Sequence, residues 1–313
     1  METTSSIAEK KKWRNPFKQM MDNPVILKEL RGRMRGRQSF VLLTIYLGLI
    51  AVFIVLVYNL LGLTSSITWD PSARQGAGKA IFGTVVLLEL LLLSFIAPGL
   101  TAGAITSERE RQTFEILRTT LLSARSLVLG KLSSALSFLF LLIISALPIQ
   151  SLAFLLGGVG LGEMVASSLM LIVTAVFFCT LGIFFSSFMK RTLTATVASY
   201  AVILLSFLIL VMIFFLIAYV ESISYNTFGS RGLENILTLL LWFLISTNPL
   251  MAAVMSEVIL VDQQSLFFTN RALFGSSGLS PLPSPWLLYV GFYLFLTLVL
   301  MLLSIYYVKR PDR

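Results

Sequence analysis

The residues of this chain best equipped for polar chemistry are concentrated in Thr106–Thr120, TSERERQTFEILRTT. Six charged side chains (Glu108, Arg109, Glu110, Arg111, Glu115 and Arg118) fall within eleven positions there, although only 12% of the chain is charged. Carboxylates and guanidiniums at this spacing pair along a helix or dock against another charged surface. Nucleophilic and metal chemistry have little to draw on. Histidine is absent and Cys179 is the single cysteine, which excludes His-based metal sites, Ser-His and Cys-His nucleophiles and an internal disulfide. Two Gly-Lys pairs invite comparison with a phosphate-binding loop, G-x-x-x-x-G-K-[ST], whose backbone N–H groups cradle phosphates. Gly78-Lys79 is followed by Ala80 and has Ala73 in place of the first glycine; Gly130-Lys131 is followed by Leu132 and has Arg125 there. Neither qualifies, so nucleotide hydrolysis is not expected in this chain.

One further ionisable residue stands out by its surroundings. Glu89 lies in VVLLELLLLSF, where a charge costs about 2.5–3.5 kcal/mol on insertion scales and must face protein or water, or be neutralised. Two readings remain open: a wall of a translocation path or ion-coupling site, and a buried polar contact to a neighbouring helix or a dimer mate.

The elements that must position these groups follow from hydropathy. The chain has 313 residues, 57% hydrophobic, with mean hydropathy +0.88; a soluble domain carries about 25% charged residues. Six apolar segments are long enough to span a bilayer, at about Phe40–Leu63, Ile81–Ala102, Leu132–Leu156, Met164–Phe188, Leu193–Val220 and Trp286–Val308. Of the 24 Lys and Arg, 20 lie before Ser39, between Arg109 and Lys131, at Lys190-Arg191, or after Tyr307. One topology puts all of these on the same side, and the positive-inside rule makes that side cytoplasmic, with both termini there. The net charge of +9 is thus explained by topology rather than by nucleic-acid binding.

A seventh apolar run, about 236–260 (ILTLLLWFLISTNPLMAAVMSEVIL), does not fit a simple crossing. Asn248-Pro249 divides it into pieces of about 12 and 11 residues, short of the roughly 20 needed to cross, and Pro249 removes a backbone donor. The expectation is two short helices dipping in from the outer face. The alternative is a seventh span with the C-terminus outside.

Before the first span, residues 22–38 (DNPVILKELRGRMRGRQ) carry helix-start chemistry, with Asn23 as cap and Pro24 at the first helical position. Leu27, Leu30 and Met34 form a narrow apolar stripe, while Lys28, Arg31, Arg35 and Arg37 occupy other faces. This predicts a basic amphipathic helix in the headgroup layer, closing a cytoplasmic segment 1–38 ahead of a membrane domain 39–313.

The charged block itself predicts a short cytoplasmic helix at about 107–122. Ser107 and Glu110 have the spacing of a capping box. Glu108–Arg111, Arg111–Glu115 and Glu115–Arg118 can pair along its surface, and Phe114, Leu117 and Leu121 make an apolar stripe. Its three acidic and three basic residues cancel. A loop serving only topology would be plainly basic, whereas mixed charge beside an apolar stripe suits a protein partner.

Thr101–Lys131, TAGAITSERERQTFEILRTTLLSARSLVLGK, resembles the signature of ABC-2-type permeases, the membrane subunits of ABC exporters. Ile105, Glu108, Arg109, Glu110, Thr113, Glu115, Leu117, Gly130 and Lys131 stand at matching places. NPVILKELRGRMRGRQSF, SSFMKRTLTATVASYAVILL (186–205) and the Asn-Pro segment also resemble that family. The resemblance implies an all-α membrane protein with six transmembrane helices, an amphipathic N-terminal connecting helix, a cytoplasmic coupling helix and an outer re-entrant pair. It implies a permease in the plasma (inner) membrane that forms the translocation path for export. Two copies of a separate ATPase, which bind ATP and Mg²⁺, would drive it, and a second permease subunit would complete it as a homodimer or heterodimer. The implied ATPase-coupling residues are Glu108, Arg109, Glu110, Arg111, Thr113, Phe114, Glu115 and Leu117, with Leu27, Leu30, Arg31 and Met34 on the connecting helix. Ala195 and Ser199, small residues one turn apart, permit close helix approach, and the resemblance makes them candidates for the dimer interface; packing within one subunit is the other reading. A self-sufficient transporter or channel using Glu89 is the competing function, against which stands the lack of further intramembrane ionisable residues for a relay.

Overall fold

The computed structural model describes residues 37–62, 71–114, 123–224, 231–263, 265–269 and 281–309. The connecting-helix positions Leu27, Leu30, Arg31 and Met34, and the coupling positions Glu115 and Leu117, lie outside them.

Six long apolar helices are present where hydropathy predicts them: α1 (Arg37–Gly62), α2 (Pro71–Thr101), α4 (Ala124–Leu156), α5 (Leu161–Phe188), α6 (Thr192–Ser224) and α9 (Pro285–Lys309). Between α2 and α4 lies a five-residue helix, α3 (Thr106–Glu110), and before α9 come α7 (Arg231–Thr247) and α8 (Pro249–Gln263). Among the described residues the secondary structure is helical apart from a minimal antiparallel ribbon, β1 (Phe268–Thr269) with β2 (Leu282–Pro283), pairing Phe268 with Pro283. That ribbon was not legible in the all-α expectation.

Helix ends follow local chemistry. Ser123 caps α4, its Oγ accepting from Ser126 N at 3.2 Å, which satisfies one of the donors a helix start leaves open. Gly157 and Gly158, with φ of 86° and 92°, make the turn into α5. A Cβ at Gly158 would stand 2.5 Å from the carbonyl oxygen of Gln75, so α2 passes too close there for a side chain. α2 starts ten residues before the apolar run at Ile81. Its first turns are polar enough to escape a hydropathy reading, yet they pack beside this glycine turn.

α5 is the axis of the bundle, packed chiefly on α9 and α2, with α2 also against α4. Bilayer tails are as apolar as leucine, so helices associate where small and hydroxyl-bearing residues let surfaces fit closely. α5 supplies these: Ser167, Thr174, Cys179, Thr180, Gly182, Ser186 and Ser187 are all buried. Thr174 and Tyr289 share a hydrogen bond of 2.7 Å between α5 and α9, and Phe177 meets Tyr293 edge-on at 4.4 Å.

α7 and α8 bend by 115° at Asn248, so the second leg turns back instead of continuing the first. Asn248 builds the bend. Its Oδ1 accepts from Leu250 N and Met251 N at 3.1 and 3.2 Å, capping α8, and its Nδ2 donates to Ser206 O of α6 at 2.7 Å. Tyr293 Oη of α9 donates to Thr247 O at 2.9 Å. With about 1.5 Å of rise per residue, Tyr293 lies about 12 Å from the start of α9. The apex is therefore tied to α6 and, about two turns into it, to α9, so its non-helical backbone is packed against protein.

Candidate functional site

The charged block sits where α2, α5 and α6 converge, and its attachment differs from the local capping its sequence suggests. No side chain of its own caps α3. Instead Ser186 Oγ, at the end of α5, accepts from Ile105 N at 2.8 Å and from Thr106 N at 3.1 Å. Glu110, expected to close a capping box on Ser107, reaches the start of α6: Oε1 accepts from Thr192 N at 2.7 Å and Oε2 from Thr192 Oγ1 at 2.8 Å. Two long-range caps thus stand in place of the capping box, as α3 starts at Thr106 with Ile105, and not Ser107, at the cap position. These bonds to the Thr192 N–H and hydroxyl hold the Glu110 carboxyl below the usual carboxylate range. A lowered value means the contact is complete above the ordinary carboxylate range and is lost only as pH falls through the lowered one.

The remaining charges extend the attachment. Arg109 Nη1 donates to Met189 O, just past the end of α5, at 3.0 Å, and its guanidinium lies 5.0 Å from the centre of the buried Phe114 ring. Glu108 accepts from the Thr113 hydroxyl and pairs with Lys131 Nζ of α4 at 3.5 Å. Helix α3 ends at Glu110, and the chain reverses through Arg111 and Gln112, the latter at φ 59°. The continuous helix expected over about 107–122 is therefore broken, in its described part, after Glu110. Arg111 and Gln112, which follow the anchored Glu110, are exposed, so the described part of the segment has a fixed root and an exposed tip.

Close backbone approach completes the junction. A Cβ on Gly182 of α5 would stand 2.1 Å from Thr101 Oγ1, and one on Gly103 would meet Thr192 at 3.2 Å. On α6, Tyr200 Oη donates to Phe95 O of α2 at 3.1 Å.

Residues 23–313, almost the whole chain and including this junction, match the family described as ABC-2 family transporter protein. The chain belongs to the ABC-2 transporter family. A comparison with curated proteins found no match. An ABC-2 membrane domain is a transport permease and not a catalytic ATPase, in keeping with the two defective Gly-Lys pairs, and permeases of this kind work with ATPase subunits.

Within this ABC-2 permease the other candidates fall elsewhere. Glu89 is fully buried, and both its carboxylate oxygens accept from Gln150 Nε2 at 3.0 Å. Its position thus joins α2 to α4 inside one chain. Gln150 carries a signal that sequence reasoning passed over, since it is the one amide side chain in α4, a helix otherwise mostly apolar. Ala195 and Ser199 are also fully buried within the chain. Ser186, Met189 and Thr192, which anchor the block, lie in SSFMKRT; no spacing rule links them to residues some 80 positions away.

Proposed function

We propose that this chain is the exporter-type permease of an ABC transporter, and that the charged block receives force from a separate ATPase and passes it to the spans. The observation that carries this is the contrast between root and tip. Ser186, Met189 and Thr192 bind the root of the block to α5 and α6, so a push on it moves α2, α5 and α6 together. Arg111 and Gln112 at the tip are exposed, and an exposed guanidinium beside an amide suits a polar protein surface. Two ATPase copies, binding ATP and Mg²⁺, would act on a permease homodimer or heterodimer in the plasma membrane. Both termini would be cytoplasmic, the bent α7–α8 pair would re-enter from the outer face, and the basic connecting helix would lie beside the block. Glu89 has a structural role in this reading, as a hydrogen-bonded tie between two spans.

The test separates tip from root. Arg111→Glu should leave folding of the permease intact and lower its stimulation of the co-reconstituted ATPase at least tenfold, about 1.4 kcal/mol of lost interaction. Unchanged stimulation would remove the tip from the coupling surface, and transport by the permease alone in vesicles would end the proposal.

A further inference from the structure

At the opposite end of the bundle from the charged block, a cavity of about 400 Å³ opens between α2, α5, α8 and α9. That volume lies in the range of about 300–1,000 Å³ typical of small-molecule sites, which combine apolar walls with a few polar groups. Phe82, Met170 and Trp286 supply apolar wall, and among the described residues Lys79, Glu163 and Glu257 are the ionisable ones lining it. Val254 and Val258, 39% and 47% exposed, also line it and remain accessible from the flank of the bundle.

The polar groups give the ligand its character. Glu257 Oε1 is buried and accepts no hydrogen bond. A buried unsatisfied acceptor costs about 1–3 kcal/mol, more when charged, and a donor entering the cavity would remove that cost. Glu163 is committed in part, with Oε2 accepting from Gly160 N at 3.3 Å. Among the described lining residues, two carboxylates stand against one ammonium, a balance that disfavours anions. An apolar body fits the walls, and an N–H donor with positive charge fits Glu257.

We propose that this cavity binds lipophilic amines, protonated molecules with an apolar body and an ammonium or aminium group that donates to Glu257. The proposal needs neither an ATPase partner nor a direction of transport, so it stands apart from the coupling function. 9-Aminoacridine, a fluorescent cation with N–H donors, serves as the probe. Acridine, neutral near pH 7 and without a donor, is its matched control. Binding is measured on the full chain in phosphatidylcholine nanodiscs, against empty nanodiscs.

Saturable binding of 9-aminoacridine is expected, with acridine at least tenfold weaker and Glu257→Gln reducing 9-aminoacridine affinity about tenfold. Gly83 lines the cavity, and a Cβ built on it meets nothing within 4 Å. Gly83→Leu therefore fills the space from a helix that gains propensity by the change, and binding should be abolished while the thermal unfolding temperature holds. Equal binding in wild type and Gly83→Leu, or binding no greater than to empty nanodiscs, overturns the site. Acridine binding as tightly as 9-aminoacridine, with Glu257→Gln silent, overturns the amine assignment.

Discussion

α5 and α6 follow one another across residues 189–191, and both are long and apolar, yet they occupy opposite environments. In α5 67% of the most apolar stretch is buried inside the chain, against 11% in α6, although α6 has the higher mean hydropathy, 3.1 against 2.4. α1 repeats the α6 pattern, at 3.0 and 11%. Mean hydropathy thus measures suitability for lipid, whereas burial among helices follows small and hydroxyl-bearing residues, which permit close packing and interhelical hydrogen bonds. α6 shows both regimes along its length. Near its start Ala195 and Ser199 are buried, while Leu204, Leu208 and Phe215 beyond them are 61%, 67% and 73% exposed. The helix is held where the charged block meets it, tied again at Ser206 by Asn248 and packed at Ile213 on Ile245 and Met251, and presents leucine and phenylalanine outward on its other face.

The largest expected break in this contrast is at the tightest point of α5. Gly182→Leu places a side chain where a Cβ alone would stand 2.1 Å from Thr101 Oγ1 and 3.2 Å from Ala102 N. Overpacking of this kind costs about 3 kcal/mol, so the variant should unfold at clearly lower temperature in detergent or fail to assemble. Gly291→Leu on α9, where a Cβ meets nothing within 4 Å, is the matched control and should behave as wild type. Similar losses in both would mean that glycine matters to α5 for backbone reasons and not for its approach to α2.

These two helices also show what the sequence made legible. Composition and length located both spans to within a few residues, because apolar runs and the MKR break at 189–191 act through local chemistry. The Asn-Pro bend was legible for the same reason: Pro249 interrupts the helix, and Asn248 is a capping residue. Pairings across the fold were not. Ser107 and Glu110 have capping-box spacing, but Ser186 and Thr192 displace that arrangement from 80 or so positions away. Glu89 was recognisable as costly, and its partner Gln150 was not. Spacing determines which side chains share a helix face, and tertiary packing then decides which of them meet.

A smaller effect is expected where α5 holds the charged block. Ser186→Ala leaves the N–H groups of Ile105 and Thr106 without their acceptor, at about 1–2 kcal/mol. The expected result is a modest fall in unfolding temperature with a larger loss of ATPase stimulation, since the block stays present but is less firmly seated. Ser186→Thr, which retains the acceptor, should recover both. A failure of the threonine variant to recover either would assign the effect to packing rather than to the hydrogen bonds.

The smallest effect belongs to the outward face of α6. Leu208 is 67% exposed, and Leu208→Ala should change the unfolding free energy of the single chain by less than about 0.5 kcal/mol, as for substitutions away from packed features. Lipid tails and leucine are chemically alike, so exchanging one contact for the other yields little free energy between helices in a bilayer. The same deletion inside α5 would open a cavity that neighbouring helices fill only in part. A loss of more than about 1 kcal/mol at Leu208, measured at protein concentrations where the chain is monomeric, would show that α6 is held by the same close fit as α5 and remove the distinction between them. A loss appearing only where the chain self-associates would instead mark Leu208 as a contact of the second permease subunit, and would move the search for the dimer surface from buried Ala195 and Ser199 to the leucine stripe above them.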